Sequence, residues 1–521
     1  MHLILHTFRK DVRHLWPAAA LTVLMLCALA HADSWRADWI ASPFEGWMNL
    51  LLTLAWAMLA ALAVLEEPLV GERNFWTTRP YRWPALLAGK LLFVLLAIHL
   101  PLLLADLYVL VARGFSPAEG LVPLLWKQLL FFGAVILPAI ALASLVRSFT
   151  HFVIAAFAIA AGIAILNGGF QTIPDFRRQE INLGHAAIRI LLAGASIAVI
   201  WTQYARRRVI PARATAIVAA LVAASISAWL PSRVGYAVIG GGTPKTPRIS
   251  LRPSPTTAAA EVLSRLGASQ PVALLPIEIA SVPSASQFRI PIIDVEIVLP
   301  DGDRIDSIVP SPNRPFEKVG LTAAAFSASQ LQGGSSPRDL PNPPDWLALR
   351  FSPPAWDRFK NTRVHVRGTV AFDFYHHGET TVLPLYGNGA VPGIGRCSVM
   401  TVDDRYAEPI LKVLCESPRP LPAASIVLTN GPTGREWRVG LNSAWTNSPG
   451  PHETWLSPLH RGQSFFRLTN SVEYTPGSQW LVPVSALPSA RVEITPEIVT
   501  GHALTHFDFG EMTLAPFLAR H

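Results

Sequence analysis

The sequence predicts an α-helical polytopic membrane domain of about seven spans, followed by a mainly β, sandwich-like soluble domain. Two observations predict the first half and one the second. In a chain of 521 residues, 51% hydrophobic and 15% charged, nearly all the long apolar runs precede Pro231. Most of those runs approach the roughly 20 residues that carry a helix across a bilayer. Beyond Pro271 the chain breaks into short segments rich in Val, Ile, Phe and Thr, bounded by turn residues, which is the signature of strands. The expected division is a membrane domain over 1–231, a linker over 232–256 and a β-rich domain over 257–521, with a proline-rich stretch at 335–344 as the boundary between two β modules.

The expected spans are 16–32, 47–65, 84–111, 121–146, 152–166, 186–204 and 214–230. The fifth is short and the sixth contains Arg189. If they alternate, one side collects Arg9, Lys10, Arg13, Arg73, Arg79, Arg82, Arg147, Arg206, Arg207, Arg208 and Arg213. The other side holds only Arg36, Arg113, Arg177 and Arg178. The positive-inside bias therefore predicts a cytoplasmic N-terminus and, with seven crossings, an extracytoplasmic C-terminal half. Residues 1–32 also resemble a signal peptide, with a basic start, an apolar stretch and Ala30-His31-Ala32 as a cleavage site. Leu5, Phe8, Val12 and Trp16 share one helical face, however, with the basic residues elsewhere. That pattern suits an amphipathic helix lying at the interface and retained in the mature chain. The β half lies outside in either case.

The stretch EEPLVGERNFWTTRPYRWPALLAGKLL, residues 66–92, joins the second and third spans. Its acidic residues resist burial, while Phe75, Trp76, Tyr81 and Trp83 seek an apolar partner, so physics alone reads it as an interfacial loop or elbow. The same block resembles the permease subunits of ABC-2 type transporters, in which a second span runs into an acidic residue, a Gly, a Phe-Trp-x-Thr-Arg-Pro block and a Lys-Leu-Leu start. Here these are Glu66, Glu67, Gly71, Phe75, Trp76, Thr78, Arg79, Pro80, Lys90, Leu91 and Leu92. The resemblance covers about residues 1–230. It implies a transport protein of the bacterial cytoplasmic (inner) membrane, an exporter, paired as a homodimer or heterodimer of permeases and driven by a separate P-loop ATPase subunit. It also implies that Glu66, Glu67, Gly71, Glu72, Phe75, Trp76, Arg79 and Pro80 meet that ATPase.

Members of that family commonly have six spans and end in the cytoplasm, so the seventh span and residues 232–521 depart from the pattern. A phosphate-cradling loop needs G-x-x-x-x-G-K-[ST]. Residues 240–246 (GGGTPKT) and 387–395 (GNGAVPGIG) do not satisfy it. No cofactor is thus expected in this chain and no enzyme activity of its own, with ATP held by the partner. The lipid bilayer is an expected partner and a nucleic acid is not. A second reading is a membrane-anchored sensor or binding protein whose outer β-domain recognises a ligand.

Charged and polar residues within spans mark function by default. Lys90, His99, Asp106, Lys127 and Arg189 fall there. Long side chains snorkelling to the interface are the simplest account. A pair between Asp106 and Lys127 or Arg189 would instead line a polar path, and His99 before Pro101 reads as a packed histidine at a kink.

In the β half, strands are expected within 287–300, 365–377, 380–386, 425–430, 436–441, 464–470 and 490–499, and a short helix over 257–267. Asp301-Gly302 and Asn430-Gly431 are hairpin-type turns. Cys397 and Cys415 stand equally far from Tyr406, so a hairpin centred there places them opposite each other as a disulfide. Trp346, Trp356, Trp437, Trp445, Trp455 and Trp480 fit sandwich cores. His376-His377-Gly378-Glu379 reads as a polar hairpin tip before a metal site, and no catalytic motif is present.

Overall fold

The computed structural model describes residues 2–35, 43–67, 83–170, 182–229, 247–251, 271–280, 287–307, 321–326, 345–403, 409–432, 434–441, 458–469 and 481–518. Among these, the N-terminal half forms seven helical rods. They are α1 (His2–Trp35), α2 (Pro43–Leu65), a third rod made of α3 (Trp83–Val94), a π turn (Leu95–His99) and α4 (Leu100–Ala112), and a fourth made of α5 (Pro117–Phe131), a π turn (Phe132–Ile136) and α6 (Leu137–Leu145). The last three are α7 (Phe149–Phe170), α8 (Asn182–Tyr204) and α9 (Val209–Trp229). Five stretches are long and apolar enough to cross a membrane: Leu3–Ser34, Trp47–Leu65, Trp83–Ala112, Pro117–Leu145 and Ala187–Tyr204. The apolar stretches described on α7 and α9, Phe149–Ile159 and Val209–Ala223, are shorter.

The helix packing is that of a chain solvated by apolar surroundings. Small and branched residues such as Leu52, Leu59, Ala60, Ala61, Ile98 and Ala143 are buried between helices, whereas Leu24, Trp47, Leu104, Val122 and Ile190 point outward. Residues 2–15 continue without a break into the first apolar stretch, because α1 runs unbroken through Pro17. Of the apolar face, Leu5, Val12 and Trp16 are exposed and Phe8 packs half-buried against the bundle, while Thr7, Asp11 and Leu15, four residues apart, turn inward. Contacts at the helix ends give the rods alternating directions. Lys10 near the start of α1 meets Glu67 just past the end of α2. Trp83 at the start of α3 packs edge-on to Trp201 near the end of α8, and Arg213 near the start of α9 donates to the Leu145 carbonyl that ends α6.

The C-terminal half is built on one seven-stranded sheet. Its strands in chain order are β1 (Arg248–Leu251), β2 (Val272–Ala280), β3 (Gln287–Val298), β4 (Arg304–Asp306), β5 (Leu321–Phe326) and β6 (Asp345–Phe351), then helix α10 (Pro353–Phe359) and β7 (Arg363–His377). There follow β8 (Thr381–Pro384), β9 (Asn388–Val391), β10 (Gly395–Asp403), β11 (Pro409–Ser417), β12 (Ala423–Asn430), β13 (Arg435–Leu441), β14 (His460–Thr469), β15 (Leu481–Pro483) and β16 (Ala490–Thr513). The long sheet has the order β13-β12-β16-β7-β3-β4, with β8 also on β16. A four-stranded sheet, β1-β2-β6-β5, covers one part of it around Leu275, Phe351, Phe372 and Phe507. A five-stranded sheet, β15-β14-β11-β10-β9, covers the other around Cys415, Ile426, Phe466 and Val492.

The described residues of this half thus pack into two cores, but these are not divided at 335–344. Strand β6, which follows that stretch, pairs with β2 and β5, which precede it. Strand β16 serves both cores because a bulge between Val499 and Gly501 shifts its register. Even-numbered side chains (Val492, Ile494) point inward before the bulge and odd-numbered ones (Ala503, Phe507) after it. An inserted residue reverses the numbering of the buried face while leaving the face itself in place. Arg248–Leu251, within the expected linker, is a strand paired to β2. The expected helix at 257–267 and the prolines at 335–344 lie outside the described residues.

Strands β10 and β11 pair with Cys397 opposite Cys415, and the two form a disulfide across 18 residues, buried in the second core. Trp346, Trp356 and Trp437 are core residues, while Trp445, Trp455 and Trp480 lie outside the described ones. Closing a loop of that size stabilises a domain by about 3 kcal/mol. We expect Cys397→Ala with Cys415→Ala to lower the thermal midpoint of the β half, read by scanning calorimetry. An unchanged midpoint would contradict a bond that constrains the chain.

Candidate functional site

The third rod and the residue just after it carry four inward-turned polar residues: Lys90, His99 and Asp106, all buried, and Arg113, half-buried. The last three are seven residues apart, about two helical turns, and so share a face. Nine residues of regular α-helix would put Lys90 and His99 on about opposite faces. The π turn at Leu95–His99 takes up one residue and brings them closer in azimuth. Each of the four meets partners from elements other than the third rod.

At the end of the bundle that holds the N-terminus, the Lys90 ammonium donates to Asp11 at 2.8 Å and lies 3.3 Å from Glu67. Glu67 also accepts from Lys10 at 3.0 Å. Lys90 is 1% exposed and Asp11 fully buried. This corrects the snorkelling account of Lys90: its amine turns into the bundle and is neutralised there. The geometry needs close helix approach, which Gly89 allows. A Cβ there would sit 2.9 Å from the Thr7 side chain and 3.2 Å from the Ile4 carbonyl.

At mid-rod, His99 Nδ1 lies 2.7 Å from Gln128 Oε1, and the ring packs edge-on to Phe131 and against Phe132. His99 is thus packed beside a π turn. Two turns on, Lys127 donates to both Asp106 oxygens, at 2.7 and 2.9 Å. Of the two partners expected for Asp106, Lys127 reaches it; Arg189 sits half-buried on α8.

At the far end the helices meet the β half. Asp33 ends α1 and Arg113 follows α4. Arg113 donates to the Asp33 carbonyl at 2.5 Å and stands 3.7 Å from Glu416 of β11. Arg461 of β14 bridges Asp33, at 2.5 Å, and Glu416, at 2.9 Å. Burial works against the Arg461 charge, but the two carboxylates outweigh it and raise its pKa, so it stays a cation. In the sheet register Arg396, Glu416 and Arg461 form one cross-strand row, and the adjacent row holds Cys397, Cys415 and Gly462. Successive side chains alternate faces. The cystine therefore enters the core while the charged row faces the helix ends. Arg396 lies over the Phe115 ring and donates to the Arg113 carbonyl at 3.1 Å. Gly114, at φ +78°, leaves room for it: a Cβ would meet the guanidinium at 2.3 Å.

Of the expected cytoplasmic-loop contacts, Glu66 is exposed and Glu67 joins the buried cluster. Gly71, Glu72, Phe75, Trp76, Arg79 and Pro80 lie outside the described residues. Asp11, Gln128, Asp33, Arg113, Glu416 and Arg461 escaped the sequence reading of the site. Among the described residues no group of three or more His, Cys, Asp or Glu is placed to hold a metal. No protein-family model matches the chain, and neither a curated protein nor a solved structure matches it.

Removing one partner of a buried ion pair costs about 3–5 kcal/mol, whereas replacing both by apolar residues is often neutral. We expect Lys90→Met alone to destabilise the detergent-solubilised protein by that amount. Adding Asp11→Leu should recover most of the loss, as read by unfolding in a denaturing detergent. Equal stability of the single variant and the wild type would contradict the buried pair.

Proposed function

We propose that the chain is the membrane-spanning permease subunit of an ATP-driven transporter of the ABC-2 type, an exporter energised by a separate ATPase subunit. The observation that carries the reading is the root of the loop after α2. Glu67 enters the bundle and is held by Lys10 of α1 and Lys90 of α3. A loop that merely reversed the chain would have no use for buried charges, which are costly to desolvate. A loop that receives force from a partner needs a root fixed to several helices. Glu67 belongs to the block resembling the family, whose remaining residues, Gly71 to Pro80, follow it in sequence.

In this reading the N-terminal end of the bundle is cytoplasmic and the β half extracytoplasmic, in a bacterial inner membrane, with seven crossings. The alternating directions of the rods support it. The fourth rod ends on the N-terminal side, where α7 begins, and α8 returns to that side, so α7 runs outward between them. Its 22 residues rise about 33 Å, enough for a bilayer. The docking of the β half on the ends of α1 and α4 agrees with an odd number of crossings. It also keeps the sensor reading in play, since an outer receptor domain would need the same joint. An ATPase partner separates the two.

Interfaces depend on aromatic and Arg anchors, and losing one costs about 2 kcal/mol or more. The full chain, solubilised from its native membranes, should carry ATP hydrolysis with it. Trp76→Ala or Arg79→Ala should weaken the retained ATPase by about thirtyfold at unchanged membrane levels. Full retention by both variants would reduce the loop to an interfacial turn, and a wild-type preparation without ATPase would favour the sensor.

A further inference from the structure

The two charged clusters at opposite ends of the bundle use the same pair of helices. Asp11 and Asp33 lie on α1; Lys90 and Arg113 lie on the third rod. Asp11 and Asp33 are about 33 Å apart along the helix and Lys90 and Arg113 about 34 Å, from the rise per residue. Both separations match the roughly 30 Å hydrocarbon thickness. The helices run parallel, are pinned at each membrane face, and touch closely near Gly89.

At each face a third element closes the cluster. Glu67, at the root of the loop after α2, closes the first. Arg461 and Glu416, on the sheet braced by the Cys397–Cys415 disulfide, close the second. Sliding α1 along the third rod would unpair charges at both ends together. Such a step leaves carboxylates and cations buried without partners.

We propose that α1 and the third rod form one strut that couples the root of the loop after α2 to the outer β half. Asp11, Lys90, Asp33, Arg113, Glu416 and Arg461 are its positioning residues. A displacement of Glu67 moves both helices as a unit and reaches the β half through the Arg461–Glu416 ring. Conversely, loosening the joint at the β half reaches the loop. The coupling depends on the two clamps and not on the identity of the energy source, so it holds for a permease and for a sensor.

Leu459 reports the outer joint because it is buried against Val109, Leu110 and Leu124. The experiment places Leu459→Cys in the full chain carrying Cys27→Ser, in lipid nanodiscs of phosphatidylethanolamine and phosphatidylglycerol, and follows its labelling by a maleimide. Arg461→Ala, which opens the joint directly, sets the scale. Lys90→Met, at the distant end, should speed labelling by about tenfold, a common size for coupling between sites. Adding Asp11→Leu to it should restore the slow rate. Glu67→Gln, a milder change that keeps the Asp11–Lys90 pair, should speed labelling by a smaller factor and serves if Lys90→Met does not fold. Slow labelling in Glu67→Gln and in any folded Lys90→Met protein, beside fast labelling in Arg461→Ala, would show independent clamps and overturn the strut.

Discussion

Burial of the Lys90 ammonium between Asp11 and Glu67 is the interaction around which the helical half is organised. An amine inside an apolar bundle is tolerable only when its charge is matched, and each match comes from a different helix. Asp11 fixes the azimuth of α1, because its position requires Thr7 and Leu15 to face inward with it. Glu67 fixes where α2 ends. Gly89 sets how near α1 approaches α3. One cation thus specifies three helices, in a setting where apolar packing alone discriminates poorly between alternative arrangements.

The same logic recurs along the third rod. His99 with Gln128 and Asp106 with Lys127 join it to the fourth rod, and Arg113 joins it to α1 and to β11. The joint with the β half contains charge of both signs arranged in a ring, in which Asp33 and Glu416 each meet an arginine. Beneath it the disulfide ties β10 to β11 one register step away, which keeps Arg396 and Glu416 at a fixed spacing. A rigid row of charges meeting rigid helix ends is suited to passing on small displacements.

The apolar helices of the first half were legible from hydropathy, because an apolar run is a local property of the sequence; five of them are long and apolar enough to cross a membrane. The Cys397–Cys415 facing pair was legible for a related reason, since a tight hairpin imposes its own symmetry. What escaped was non-local. Lys90 and Asp11 are separated by 79 residues and Arg461 and Asp33 by 428, and no spacing rule links them. The inward turn of Asp11 went unread because its partner, Lys90, lies on a helix distant in sequence. The second half of β16 was missed because the bulge at residue 500 breaks the two-residue period that a strand reading follows. Strand β6 was obscured for a different reason: its partners lie on the other side of the proline stretch, so local composition suggested a boundary where pairing runs across.

The central claim is that the Lys90 and Arg461 clusters lie at opposite faces of one membrane. Single cysteines at Arg13 and at Arg419, both exposed, placed in a chain with Cys27→Ser, test it most directly. In sealed vesicles of known orientation, a membrane-impermeant maleimide should label Arg13→Cys only from the cytoplasmic side and Arg419→Cys only from the other. Labelling of both from the same side would contradict the account.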